Sequence, residues 1–138
     1  MWNIYHEEKP GAKHLKIGRL GEDLAAGVLK RVGHKIVEKN YRKPYGEIDI
    51  VTNREGVLHF VEVKSISGDV SHITSGVFGP EDHMNYEKRQ RQKRVINTYL
   101  AERRVGEETD WQIDLACVYL TEQGDLVKIE WLEDIILD

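Results

Sequence analysis

Asp49, Glu62 and Lys64 are the residues of this chain whose types and spacing best suit chemistry. They fall in Gly46-Glu47-Ile48-Asp49-Ile50 and Val61-Glu62-Val63-Lys64, where apolar and ionisable residues alternate as in β-strands. Alternation puts Glu47 and Asp49 on one face, with Ile48 and Ile50 on the other. In the second segment Glu62 and Lys64 share a face with Leu58 and Phe60, opposite Val61 and Val63. A hairpin through Asn53–Gly56 would set Asp49 across from the neighbourhood of Glu62. Two carboxylates so placed repel and raise each other's pKa unless a cation lies between them. Mg²⁺ (or Mn²⁺) is the natural occupant, taking hard oxygen ligands from one or two carboxylates and filling the rest with water. Lys64 would then orient or help deprotonate an attacking water, or offset charge on phosphorus. The same pattern also suits a plain solvated strand face with cross-strand ion pairs.

These residues need elements to hold them. Residues 1–15 have no clear period and contain Pro10-Gly11, which reads as a flexible lead-in; 16–138 read as a single domain. From Lys16, Ile17, Leu20, Leu24 and Val28 recur at helical spacing with Ala25 and Val32 beside them, and Gly33 marks the stop. Glu22 lies at the border of that apolar stripe, able to lean toward whatever the helix packs on. A strand is expected over His34–Tyr41, a bend over Arg42–Gly46, then strands over Glu47–Thr52 and Val57–Ser65. Ser67–Pro80, rich in Gly and Ser, reads as a mobile loop. A second helix follows, from Pro80 or Asp82 to Arg103, with Val95, Ile96, Tyr99 and Leu100 on its buried side. Trp111–Leu120 reads as a buried strand and Leu126–Trp131 as the last, ahead of an acidic tail.

Composition bounds the function. The 138 residues make one domain, 40% hydrophobic and 32% charged, as in an ordinary soluble globular protein. No run approaches the roughly 20 apolar residues of a membrane helix, and the first ten residues lack the apolar core of a secretory signal. Cys117 is the only cysteine, which excludes an internal disulfide and a thiolate metal cage and points to the cytoplasm. The net charge of −4 opposes indiscriminate nucleic-acid binding, so the location of positive charge matters more. Much of it lies in Lys88-Arg89-Gln90-Arg91-Gln92-Lys93-Arg94. On a helix these side chains fan over more than half the circumference, so a subset, including Lys88, Arg91 and Lys93, is expected to contact a phosphate backbone. Of six histidines, His59 reads as a core residue, while His72 and His83 fall beside the loop without metal-ligand spacing. Gly18 and Gly21 suit close helix packing.

Asp49 followed by Glu62-Val63-Lys64 resembles the PD-(D/E)xK pattern of restriction-endonuclease-like proteins. Gly21-Glu22, Asn40-Tyr41-Arg42, Gly46–Ile50, Phe60–Lys64, Phe78-Gly79, Lys88 and Tyr99-Leu100 resemble, in order and approximate spacing, the YraN-type family of predicted endonucleases, relatives of archaeal Holliday junction resolvases. The resemblance implies an α/β fold with a central mixed β-sheet flanked by α-helices. It implies Asp49, Glu62 and the Val63 carbonyl as metal ligands, Lys64 as the catalytic lysine, and Glu22 as an auxiliary acid. The implied reaction is metal-dependent hydrolysis of a phosphodiester, in DNA or RNA, with a homodimer by analogy with the resolvases. Gln112 stands where relatives often have Arg, which removes a phosphate contact, and the Ser65–Tyr86 loop is longer than typical. The rival expectations are a nucleic-acid-binding module without cleavage and a protein-interaction domain using the acidic tail or a sheet edge.

Overall fold

The β2–β3 hairpin is the local unit on which the rest is assembled. Strand β2 (Gly46–Arg54) and strand β3 (Val57–Gly68) pair antiparallel from Arg54↔Val57 to Ile50↔Val61. Their turn is Glu55-Gly56 alone, both with positive φ (53° and 83°), the two-residue geometry whose twist matches paired strands. Asn53 Oδ1 accepts the Gly56 N–H at 3.1 Å. This computed structural model describes residues 12–69 and 86–135, with side chains from Lys16 onward.

Strand β1 (Lys35–Lys43) pairs antiparallel with β2 on its free side. Beyond β3 the chain returns through helix α2 (Tyr86–Glu102) to strand β4 (Trp111–Thr121), which runs parallel to β3 from Leu58↔Trp111 to Gly68↔Thr121. Strand β5 (Leu126–Leu132) closes the sheet antiparallel to β4. The spatial order is β1-β2-β3-β4-β5, a mixed five-stranded sheet, as expected. Helix α1 (Ala12–Arg31) covers one face and α2 the other.

Each face has its own core. On the α1 side, Ile17, Ala25, Ala26 and Leu29 pack with Ile50, Val61, Ala116, Val118 and Leu120. On the α2 side, Val95, Ile96 and Tyr99 pack with Ile48, Val51, Leu58, Phe60 and Ile113. Phe60 is fully buried, with Tyr99 edge-on at 5.3 Å between ring centroids; a side chain of this size contributes about 1.5–3 kcal/mol on burial. Helix α1 ends as Gly33 predicts: Gly33 has φ 97°, the His34 N–H donates to the Leu29 carbonyl at 2.9 Å, and the Gly33 N–H donates to the Lys30 carbonyl at 3.2 Å.

Several expectations shift. Helix α1 begins at Ala12, ahead of Lys16, and Val32, expected on its apolar stripe, is 51% exposed beyond its last turn. Strand β3 continues past Ser65 to Gly68, because β4 pairs with it along that whole length. The lead-in up to residue 11, the expected start of α2 at Pro80 or Asp82, His72, His83 and most of the Ser67–Pro80 loop lie outside the described residues.

The largest correction concerns β2. Alternation places Ile48 and Ile50 on one face, yet Ile48 belongs to the α2-side core and Ile50 to the α1-side core. The change of face falls at Asp49, one residue beyond the last β2–β3 pair, Ile50↔Val61. There the strands part, and the Val63 N–H donates to Asp49 Oδ2 at 2.7 Å. A side-chain carboxylate stands in for a ladder carbonyl.

Candidate functional site

Where β2 and β3 part, a pocket of about 280 Å³ opens, lined by Glu22 of α1, Glu47 and Asp49 of β2, Glu62, Val63, Lys64 and Ser65 of β3, and Lys88 of α2. Every layer of the fold reaches it. Alternation along β3 keeps Glu62 and Lys64 on the α2 side with Phe60, and Lys88 comes down from α2 to within 3.3 Å of Glu62 Oε1. Glu22 enters from the opposite layer. The helix sits close enough for this because residue 21 is glycine: a Cβ there would fall 1.8 Å from Ser65 Oγ. Gly18, expected to serve the same packing, has open space around its Cβ position and lines the pocket instead.

The acids crowd one another. Asp49 lies beside both Glu22 and Glu62. Burial, then the charge of Glu62, pushes the Asp49 carboxyl up to about 9, while the Val63 N–H acts the other way. Glu62 is raised by burial and held back by the Lys88 ammonium. Glu22 is raised by burial and by the charge of Glu47, with the neighbouring Asp49 carboxyl opposing. At neutral pH such a cluster retains protons that a bound cation would displace.

This donor set fits a small hard cation. Mg²⁺ is held by one or two carboxylates and keeps much of its water, and Asp49 and Glu62 would supply the two, with Val63 beside them for a backbone carbonyl. Among the described residues no three or more Asp, Glu, His or Cys side chains are disposed to enclose a metal ion by themselves. Ser65 Oγ, buried at the pocket wall, has no hydrogen-bond partner among the described residues.

Of the basic cluster on α2, Lys88 lines the pocket, Arg91 is exposed, and Lys93 is half-buried away from it. A step of 100° per residue separates Lys88 from Lys93 by well over a quarter turn, so one ligand cannot take both. Arg94 lies over the Tyr45 ring at 3.8 Å, and the Tyr45 hydroxyl meets Thr98 Oγ1 at 2.5 Å.

Gln112 requires a correction. It pairs with His59, toward the other end of the sheet from Lys64↔Cys117, so it lies away from any phosphate held at the pocket. Its Nε2 donates to Asp114 Oδ1 at 2.9 Å, which also accepts the Asp134 N–H at 3.0 Å, while His59 Nδ1 meets Asp114 Oδ2 at 2.7 Å. His59 is therefore a satisfied core residue, and Asp114 a buried acid outside the candidate site. Cys117 is also buried, its thiol pushed up to about 11 chiefly by burial.

Together these define an α/β domain that gathers four acids and two lysines where two strands of a mixed sheet separate. Residues 21–127 match the model of the uncharacterised protein family UPF0102. The chain belongs to that family. It is 41% identical to a UPF0102 protein of Alkaliphilus oremlandii over 119 residues, which cover 86% of this chain and 87% of that one. A UPF0102 protein of Syntrophotalea carbinolica is 39% identical over 86% of this chain and 89% of its own, and one of Flavobacterium johnsoniae is 35% identical over 89% and 95%. Among the described residues no helix is long and apolar enough to cross a membrane.

Proposed function

We propose that this protein is a metal-dependent nuclease that hydrolyses phosphodiester bonds in DNA, an endonuclease acting on branched or single-stranded substrates, with RNA as the other nucleic acid it would accept. One observation carries the proposal: Asp49, Glu62 and Lys64, with Glu22, share one pocket in which Asp49 is held up to about 9. A buried, mutually repelling set of acids is costly to fold and suits a site that a cation completes.

Asp49, Glu62 and the Val63 carbonyl would hold Mg²⁺ or Mn²⁺, which when bound neutralises the acids and polarises a phosphodiester oxygen. Lys64 supplies an ammonium to the negative charge that builds on the phosphate in the transition state. Glu22, raised by its surroundings, serves as an auxiliary acid that can hold a proton at its carboxyl. Lys88 balances Glu62 and stands at the pocket for a phosphate. A cytoplasmic address and a homodimer with two sites for two strands belong to the same proposal.

The Lys88–Glu62 ion pair, and the lack of a three-donor metal cluster among the described residues, favour a second reading: a nucleic-acid-binding module that keeps the fold without cleaving. Incubation of the protein with linear, single-stranded, flapped and four-way DNA and with RNA, in Mg²⁺, Mn²⁺ or chelator, separates the two. Cleavage that needs the metal and is lost in Asp49→Asn and Lys64→Ala supports the nuclease. Binding without cleavage on every substrate supports the module.

A further inference from the structure

We propose that Asn40 is a positioning residue for Asp49: its left-handed backbone kinks β1 so that β1 and β2 change faces together and turn the Asp49 carboxylate into the pocket. The inference concerns how Asp49 is held, and its link to catalysis rests on the nuclease reading.

Three observations meet at one level of the sheet. Asn40 has φ 55° within a strand, a conformation open to glycine and, among side-chain-bearing residues, most readily to Asn and Asp. The β1–β2 pairs Lys39↔Ile50 and Tyr41↔Ile48 bracket Asn40 and Asp49, so the two lie opposite each other. Both strands reverse there. Lys39 reaches across the α1 side to Asp23 at 3.2 Å, whereas Tyr41, which alternation would put on the same face, is buried in the α2-side core. In β2, Ile50 faces α1 and Ile48 faces α2.

A regular β1 would hold β2 in regular alternation by its ladder of hydrogen bonds. Residues 48 and 50 would then share a face, and residue 49 would lie on the other, within the sheet's α2 side. Instead Asp49 is placed at the seam between the layers, where it meets Glu22 from α1, Glu62 from β3 and the Val63 N–H at 2.7 Å. The edge position of β1 permits this kink, since its outer side has no further strand to stay in register with.

The Val63 amide reports the placement independently of any activity, because Asp49 Oδ2 is its acceptor. Backbone hydrogen exchange followed by NMR on the wild type, Asn40→Gly, Asn40→Asp, Asn40→Val and Asp49→Ala tests the proposal. Asn40→Gly and Asn40→Asp, which tolerate positive φ, are expected to protect Val63 as the wild type does. Asn40→Val, and Asp49→Ala as the control, are expected to exchange there about tenfold faster or more, the loss of one hydrogen bond. Ile96 and Val118 amides, one in each core, are expected to keep their protection. Wild-type protection of Val63 in a folded Asn40→Val would overturn the proposal, as would loss of it in Asn40→Gly. If Asn40→Val fails to fold, Asn40→Ala takes its place with the same expected result. Should no variant, nor the wild type, cleave nucleic acid while Val63 behaves as stated, the nuclease reading fails and the positioning role stands.

Discussion

Asp49 and Asp114 are both buried acids on the sheet, and their surroundings give them different work. Asp114 accepts three hydrogen bonds, from the His59 ring, the Gln112 amide and the Asp134 backbone. Asp49 has one backbone donor and three acids, Glu62, Glu22 and Glu47, for neighbours. An acid so well supplied is structural, and removing it strands its donors. Asp114→Ala is expected to cost about 2–4 kcal/mol in chemical denaturation, with metal-dependent cleavage per folded molecule unchanged; a selective loss of cleavage would place Asp114 in the site after all. Ser65→Ala is the opposite case. Its hydroxyl is buried without a partner among the described residues, so the substitution is expected to be neutral or to stabilise by up to about 1 kcal/mol. A clear destabilisation would reveal a partner for that hydroxyl. Glu62 and Lys64 were legible in the sequence because period-two alternation survives along β3. The Gln112 role was not, since a residue type does not reveal which end of its strand lies near the pocket.

The elements were legible in kind and less so in their limits. The two-residue turn at Glu55-Gly56 and the Gly33 cap are local chemistry, decided by which residues tolerate positive φ. The parting of β2 from β3 is not local: it needs the kink at Asn40 on a strand pairing partner, which a linear pattern cannot display. The approach of α1 to β3 is equally non-local, and it makes a sharp prediction. Gly21→Ala drives a methyl into Ser65 Oγ, so it is expected to destabilise by about 1–3 kcal/mol and to lift Glu22 away from the pocket. Ser65→Gly in the same chain clears the space and is expected to recover much of that loss. A double-mutant cycle by thermal unfolding measures this; strictly additive effects would show that the contact is not the cause.

For the molecule as a whole, the acid cluster ties stability to pH and to divalent cations. The folded Asp49 carboxyl is raised from 3.8 to about 9, and Glu22 and Glu62 are raised too. Groups raised on folding contribute their stability below the unfolded pKa and lose it as pH climbs toward the folded value. His34 has the reverse sign: burial lowers it from 6.5, so acidification below about 6.5 favours the unfolded chain. In chelator, Tm is therefore expected to fall from pH 6.5 to 9, with Asp49→Asn flattening the fall. Added Mg²⁺ is expected to raise Tm more at pH 8.5 than at pH 6, because binding must displace protons. A Tm independent of pH across this range, or a Mg²⁺ effect equal at both values, would count against the paired acids as the cause.

The site draws Glu22, Asp49, Glu62 and Lys88 from both helices and two strands. Its members span the chain from the first helix to the crossover, so no hairpin or helix pair holds more than part of the set. A chain with only one face of its sheet covered would lack either Glu22 or Lys88. The completed pocket is thus a report on the native state: any property that depends on it appears only after both layers have docked, and partly folded molecules remain inert.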